Sequence, residues 1–344
     1  MRPGMVLPMI AGLLVAVSAS AQDYTFKLHH FLGPTTPTQT ETIEPWARAV
    51  EAASGGRVAI EIYPSMSLGG KPAELVQQAR DGVVDMVWTV NGYTPGLFPR
   101  TEVFELPNVF TNDPGATNLA MAEMFTDDLA PEYGGLEVMF LHVHAGNGIH
   151  MVDRDVREPA DLAGAKLRIP SRTGALVIEA LGAAPVAMPV PDLPQALSKG
   201  VVDGALIPFE ITLPLKLQDQ TEFHIEGADR YRFGTTVFQL SMNQARWEAL
   251  PDDIQQAFRE VSGPEWLERL GEIWRGTDDA ATIALVEAGN THVELTPDQV
   301  DAFKVALEPV IARWVDDVTA SGVDGEPLVA KARERIAAHG PDGS

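Results

Sequence analysis

The chain has 344 residues, with 25 Lys and Arg against 48 Asp and Glu, and it contains no cysteine. A net charge of −23 argues against a nucleic-acid-binding protein, which needs clustered basic residues. It leaves an anionic small ligand open, because one buried arginine sets the local field. Without disulfides the core alone must hold the fold, and the length is sufficient for two lobes.

The first 21 residues predict a secretory signal peptide. Arg2 precedes an apolar run over about 5–17, and Ala19 and Ala21 match an A-x-A cleavage site. A membrane anchor is the less favoured alternative, because the run is short for a bilayer. We therefore expect export to the periplasm, cleavage after Ala21 and a mature protein that does not span the membrane.

Strand and helix patterns alternate along the chain. Strands are predicted over residues 24–29, 58–63, 83–88, 136–144, 150–152, 166–169, 185–188, 201–207 and 233–242. Helices are predicted up to about residue 53, with a restart at Pro45, and over 72–80, 114–133, 173–181, 191–199, 251–289, 297–320 and 326–338, with a break at Gly263-Pro264 and a kink at Pro309. This β-α-β order implies parallel strands with right-handed crossovers.

The order of these elements predicts an α/β fold of two lobes joined by a hinge. Lobe I is assigned to residues 22–146 and 233–273, and lobe II to 147–232 with 274–338. Residues 339–344 are expected to be a disordered tail. A cleft between two such lobes can close on a ligand, so the topology indicates binding by closure.

Arg168 is the main candidate for ligand binding. It lies in a short strand pattern, Lys166–Ile169, that Pro170 ends. Its guanidinium would therefore lie at the carboxyl end of a strand, where open α/β sheets bind ligands. Because a guanidinium can hold a carboxylate through two parallel hydrogen bonds, we predict an anchor for a small organic acid. The alternative is a surface arginine on an edge strand.

Further candidates lie at strand ends near the expected cleft. Trp88, Asn91 and Tyr93 follow the third strand and would form a wall with apolar area and one amide. Core packing is the alternative for Trp88. His30, at the end of the first strand, is expected to face the cleft, and Ser171 completes this part of the ligand-binding set.

Catalytic motifs are not found in the sequence. It has no G-x-S-x-G elbow, H-E-x-x-H, Walker loop, Rossmann fingerprint or cysteine nucleophile. We therefore predict no enzyme, no catalytic residue and no cofactor. His142 and His144 share a strand face near His150, a spacing that could hold a metal. No Cys, Asp or Glu completes the set locally, so structural histidines are favoured and no metal is predicted.

A set of short segments extends across nearly all of the mature chain in a characteristic order and spacing. The most specific is DLAGAKLRIP at residues 161–170, and the others are 45–46, 54–57, 62–64, 68–70, 81–85, 104–107, 180–186 with 188, and 196–204. In these segments the chain resembles the solute-binding proteins of tripartite ATP-independent periplasmic (TRAP) transporters, of the DctP-like family. The resemblance implies extracytoplasmic ligand capture, delivery to a TRAP membrane permease, and two α/β lobes with a long helix spanning both. It places the family's carboxylate-binding arginine at Arg168.

Two departures from the family pattern concern the ligand. Many members carry a second arginine about twenty residues before the first, where this chain has Gly-Ile-His at 148–150. Many also carry an asparagine where this chain has Ile207. The usual contact set for sugar acids or dicarboxylates is therefore incomplete.

Glu210 is the residue whose role the sequence leaves open. If it faces the cleft, a ligand with an amine or several hydroxyls would satisfy it. If it caps a helix that starts near Pro208, it faces water. Phe209 and Phe233 with Trp88 could instead supply an apolar wall for an aromatic or branched monoacid. A secreted enzyme on the same fold is the remote alternative.

Overall fold

The computed structural model describes residues 22–340, so the predicted signal peptide and the last four residues lie outside it. Its strands are β1 Tyr24–His30, β2 Val58–Tyr63, β3 Met86–Val90, β4 Leu136–Val143, β5 Gly148–Met151, β6 Lys166–Ile169, β7 Ala184–Ala187, β8 Gly204–Ile207, β9 Phe223–Gly227, β10 Val237–Asn243 and β11 Thr291–Leu295. Its α-helices are α1 Glu44–Ala53, α2 Leu75–Arg80, α3 Pro114–Met124, α4 Arg172–Ala180, α5 Leu193–Ser198, α6 Gln244–Glu248, α7 Asp252–Val261, α8 Pro264–Glu287, α9 Pro297–Ala320 and α10 Gly325–His339. The predicted α/β class is confirmed.

The first sheet, sheet I, has the strand order β2-β1-β3-β10-β4. β1 pairs in parallel with β2 and β3, whereas β10 runs antiparallel to both β3 and β4. Every residue of β3 is buried, as expected for a strand with elements packed on both faces. β10, which overlaps the strand predicted over residues 233–242, returns the chain to this sheet between β3 and β4.

The second sheet, sheet II, has the order β11-β9-β5-β8-β6-β7. β6 pairs in parallel with β7 on one side and β8 on the other, so it is an interior strand. The alternative that placed Arg168 on an edge strand is therefore wrong. The strands β9 and β11 were not predicted from the sequence.

The helix α8 connects the two lobes. Its 24 residues span about 36 Å at the α-helical rise. Near its start, the Asn118 amide of α3 donates to the Leu267 carbonyl over 3.1 Å. Farther along, Asp278 Oδ1 accepts the Phe209 backbone N–H over 3.0 Å, next to sheet II. The long interdomain helix implied by the resemblance is confirmed.

The proline positions in the predicted helices can be compared with the structure. α8 starts at Pro264, where a break was predicted, and α1 carries Pro45 in its first turn. α9 continues through Pro309 without interruption. α10 reaches His339, so the predicted tail does not begin there. Among the helices within residues 22–340, none has the length and apolar character needed to cross a bilayer.

Candidate functional site

A cleft opens where the carboxyl ends of the parallel strands β1, β3, β6 and β8 meet the segments that cross between the sheets. It is narrow, with a cavity volume of about 40 Å³. Its lining residues are Phe31, Leu32, Thr38, Trp88, Val90, Tyr93, His144, Asn147, Arg168, Pro170, Val190, Ile207, Pro208, Glu210, Ile211, Thr236, Phe238 and Trp274. Four residues predicted for the site therefore meet here: Arg168, Glu210, Trp88 and Tyr93.

Arg168 lies in the wall of this cleft and is 2% exposed. Its Nε donates to the Met188 carbonyl over 3.0 Å, and Nη1 donates to the Leu206 carbonyl over 3.4 Å. Nη2 donates to Tyr93 Oη over 3.4 Å. Burial lowers the pKa of Arg168, but a guanidinium stays charged in proteins. Within residues 22–340 no carboxylate forms an ion pair with it, so it is a buried cation held only by uncharged acceptors.

Tyr93 and its neighbour join the two lobes across the cleft. Tyr93 follows β3 of sheet I, and its Oη accepts both the Arg168 guanidinium and the Val190 N–H, the latter over 2.8 Å. A Cβ placed on Gly92 would lie 2.4 Å from Ser171 Cβ, beyond the end of β6. Because side chains and backbone meet this closely, the structure is a closed form, and Gly92 is required by the close approach.

Four aromatic rings form one continuous wall of the cleft. Phe31 stacks on Trp88 with ring centroids 5.2 Å apart, and Trp88 stacks on Phe238 at 4.8 Å. Phe238 in turn stacks on Trp274 of α8 at 5.7 Å. Trp88 Nε1 donates to His142 Nε2 over 2.9 Å, and this hydrogen bond fixes the orientation of the indole ring. Trp88 is therefore both a core residue and a cleft residue.

Glu210 follows β8, lines the cleft and is 5% exposed. The alternative in which it faces water is therefore wrong. Within the described part of the chain, its Oε2 has no hydrogen-bond partner. Burial raises the pKa of Glu210 well above its ordinary value, and the negative charge of Asp278 raises it further. The uncharged acid is the favoured form at this position.

Arg232 is a buried cation that the sequence analysis missed. Its Nη2 lies 2.5 Å from Asp278 Oδ2 and 2.8 Å from Glu226 Oε2. Its guanidinium carbon lies 4.4 Å from the centre of the Phe209 ring, so Phe209 packs on Arg232 behind the cleft and does not line it. Arg232 lies in an irregular segment between β9 and β10, where no periodic pattern marks a buried residue.

Three more predicted residues are buried beside the cleft without lining it. His30 Nε2 makes a hydrogen bond of 3.1 Å with Gln39 Oε1. Asn91 Nδ2 donates to Tyr133 Oη over 2.8 Å, so its amide points into the protein. Ser171 Oγ accepts the Gly174 N–H over 3.3 Å and caps α4. In this structure all three have structural partners.

The histidines do not gather into a metal site. His142 lies in the aromatic stack, and burial lowers its pKa to about 3. His150 Nδ1 lies 2.6 Å from His224 Nδ1 in sheet II, and His150 Nε2 lies 3.0 Å from the Ile207 carbonyl. Within residues 22–340, no group of three or more His, Cys, Asp or Glu side chains is placed to hold a metal. His144 is the one histidine of this group that lines the cleft.

Two lobes closing on a cleft with one buried arginine define a solute-binding protein. Residues 28–317 match DctP, the bacterial extracellular solute-binding protein family 7. The chain belongs to this family. The prediction of a TRAP solute-binding protein rather than an enzyme is confirmed.

Solved structures and a curated relative agree with this assignment. A TRAP solute-binding protein from Rhodoferax ferrireducens T118, in complex with copurified benzoate, is 38% identical over 92% of this chain and 98% of its own, with a TM-score of 0.89. A marine metagenome TRAP solute-binding protein, in complex with 3-hydroxybenzoate, is 37% identical with the same coverage and a TM-score of 0.89. The C4-dicarboxylate-binding periplasmic protein DctP of Rhodobacter capsulatus is 26% identical over 90% of this chain and 92% of its own.

Proposed function

We propose that this protein captures an aromatic monocarboxylate and delivers it to a TRAP-type permease. The observation that carries the proposal is the pairing of Arg168, a buried guanidinium without a carboxylate partner among the described residues, with the stack of four aromatic rings. The guanidinium would hold the ligand carboxylate by two hydrogen bonds. The rings of Phe31, Trp88, Phe238 and Trp274 would pack against the apolar body of the ligand.

The charges of the cleft favour one carboxylate over two. Among its lining residues in the described chain, Arg168 is the single Lys or Arg. A second carboxylate would be buried without a cation, which is costly. Burial favours the uncharged form of Glu210, and an uncharged carboxyl group cannot be the counter-charge of a ligand amine. This disfavours the alternative of an amine-bearing ligand.

The two solved structures at 37–38% identity support the same ligand class, because benzoate and 3-hydroxybenzoate are aromatic monocarboxylates. The departures at residues 148–150 and at Ile207 agree with it. His150 is engaged with His224, and Ile207 adds apolar surface to the cleft. Neither position offers a second cation or an amide for a sugar acid.

Isothermal titration calorimetry with a small set of acids tests the proposal. We expect benzoate and its derivatives to bind the purified protein. Succinate should bind at least roughly 100-fold more weakly, since its second carboxylate would be buried without a counter-charge, which costs several kcal/mol. Glucuronate has one carboxylate and should also bind more weakly than benzoate, because its hydroxyl-bearing ring would lose water against the aromatic wall. Trp88→Ala should lower benzoate affinity, because it removes the centre of the ring stack. Tighter binding of succinate than of benzoate would refute the proposal.

The organisation around this site is proposed as well. Sheet I contains the strands from 22–146 and 233–273, and sheet II those from 147–232 and 274–338, which supports the two predicted lobes. We propose export with cleavage after Ala21. Amino-terminal sequencing of the secreted protein would test the cleavage, and co-purification with a TRAP-type permease would test the partner.

A further inference from the structure

Four buried polar atoms in the cleft wall have no hydrogen-bond partner within residues 22–340. They belong to side chains that are at most 5% exposed. The atoms are His144 Nε2, Asn147 Oδ1, Glu210 Oε2 and Thr236 Oγ1, and all four residues line the cleft. Buried polar groups in folded proteins are normally paired, and an unpaired one is costly. Four of them in one cleft indicate a place built for polar atoms of a ligand.

These four residues are here called the hinge subsite. His144, Asn147 and Thr236 lie where the chain crosses between the sheets, and Glu210 follows β8 of sheet II. The Asn147 N–H donates to the Gly234 carbonyl over 2.8 Å, and Thr235 Oγ1 donates to the His144 carbonyl over 3.1 Å. The two crossing segments are thereby held side by side. The pairing of Gly148 with Ile207 brings the segment that carries Glu210 against them.

The backbone fixes the proton on His144. Its Nδ1 accepts the Gly146 N–H over 3.0 Å, so the ring proton is on Nε2. Burial, with the charges of Arg232 and Arg168 nearby, lowers the pKa of His144 well below its ordinary value, so the imidazole is neutral. Nε2–H is therefore a buried donor on a cleft-lining residue, without an acceptor in the described protein.

The remaining members of the hinge subsite complement this donor. Asn147 Oδ1 is an acceptor, and the Thr236 hydroxyl can donate or accept. Glu210 in its uncharged form can also do either. The subsite thus offers donors and acceptors without net charge. A hydroxyl group, which is itself a donor and an acceptor, matches it, whereas a carboxylate or an ammonium group would be left without a counter-charge.

We propose that the hinge subsite binds a hydroxyl group on the ligand, so that the protein selects hydroxylated aromatic monocarboxylates over the unsubstituted acid. His144 Nε2–H donates to the hydroxyl oxygen, and Asn147 Oδ1 accepts the hydroxyl proton. Arg168 holds the carboxylate at the other end of the ligand. This inference rests on the proposed function, but it concerns a different group of the ligand.

Calorimetry with benzoate and the 2-, 3- and 4-hydroxybenzoates tests the inference. We expect at least one hydroxy isomer to bind roughly 10-fold more tightly than benzoate, as expected for two hydrogen bonds in a buried site. His144→Phe should reduce this preference, measured as the ratio of hydroxybenzoate to benzoate affinity within the same variant, to about two- or threefold. Circular dichroism and thermal unfolding confirm that each variant is folded.

A pair of threonine variants provides the matched control and does not depend on the histidine variant folding. Thr236 and Thr89 are both buried with unpartnered hydroxyls, but Thr236 lines the cleft and Thr89 does not. Thr236→Val should weaken the hydroxyl preference, whereas Thr89→Val should leave it unchanged.

The outcomes separate the two proposals. If benzoate binds and no hydroxy isomer gains affinity, the hinge subsite is refuted and the proposed function stands. Equal losses for benzoate and hydroxybenzoate in His144→Phe also refute the subsite. A preference for aminomethylbenzoates over hydroxybenzoates would refute it in favour of Glu210 as a counter-charge. If no aromatic acid binds while another class does, the proposed function itself fails.

Discussion

Replacement of Arg168 by methionine is the sharpest test of the carboxylate anchor. Methionine keeps an unbranched apolar stem about as long as the methylene stem of arginine, in the same interior strand. It removes the guanidinium and its three contacts, to the Met188 and Leu206 carbonyls and to Tyr93 Oη. The change therefore separates the charge from the packing of the side chain.

The expected loss follows from the burial of Arg168. A buried, hydrogen-bonded charge pair costs about 2–5 kcal/mol when one partner is removed. This corresponds to roughly 30-fold to several-thousand-fold in affinity. The unliganded protein should lose little stability, because the variant also removes a buried cation that has no carboxylate partner among the described residues.

Calorimetry and thermal unfolding measure the two effects separately. At a benzoate concentration 100 times the Kd of the wild type, the free energy of unfolding of the wild type should rise by about 2.7 kcal/mol. At the same benzoate concentration, the free energy of unfolding of Arg168→Met should hardly change. Arg157→Ala is the control, since it removes the same charge from an exposed pair with Asp155. If Arg168→Met binds benzoate within threefold of wild type, the carboxylate is held elsewhere and the reasoning is wrong.

Three further predictions concern closure, stability and pH. A Cβ on Gly92 would lie 2.4 Å from Ser171 Cβ, so Gly92→Ala should oppose closure and weaken benzoate binding roughly 5- to 100-fold. Gly33→Ala is the control, because a Cβ there meets nothing within 4 Å and should leave benzoate affinity unchanged. Arg232→Met should lower the free energy of unfolding by roughly 3–5 kcal/mol in urea titrations at pH 8, and by less at pH 5, where the buried carboxylates it leaves unpaired can take up protons. Burial raises the pKa of Glu105 from 4.5 to about 7, so the folded state binds this proton more tightly than the unfolded state, and the associated stability is present below pH 4.5 and lost as the pH rises through about 7. Between pH 4.5 and pH 8, the free energy of unfolding should therefore fall by on the order of 3 kcal/mol less in Glu105→Gln than in the wild type. The same pH dependence in both proteins would contradict a raised pKa for Glu105.

The anchor could be predicted from the sequence because its signal is local. Pro170 cannot continue the strand pattern of Lys166–Ile169, and this places Arg168 at a strand end with its direction set by the parallel sheet. Tyr93 was found in the same way, directly after β3. Asn91 shares that position but turns inward to Tyr133, and a strand end alone does not show which way a side chain turns.

The rest of the site depends on residues far apart in the chain. Phe238 and Trp274 reach the ring stack from β10 and α8, well over a hundred residues after Trp88. No pattern within one segment of the sequence indicates that these three rings are neighbours in space. The strand β9 was missed because it interposes two polar residues, His224 and Glu226, which are buried only because each finds a partner in another element. Such pairs depend on tertiary contacts, which the strand propensity of a local segment does not predict.

The position of β10 has a consequence for how the chain acquires its fold. Sheet I cannot close until β10 enters between β3 and β4, and β10 begins at Val237, more than ninety residues after β4 ends. During synthesis, residues 22–146 therefore form two unjoined sets of strands. Late, long-range pairings of this kind slow folding, so the newly made chain stays incompletely folded and accessible to chaperones for longer than its length alone would suggest.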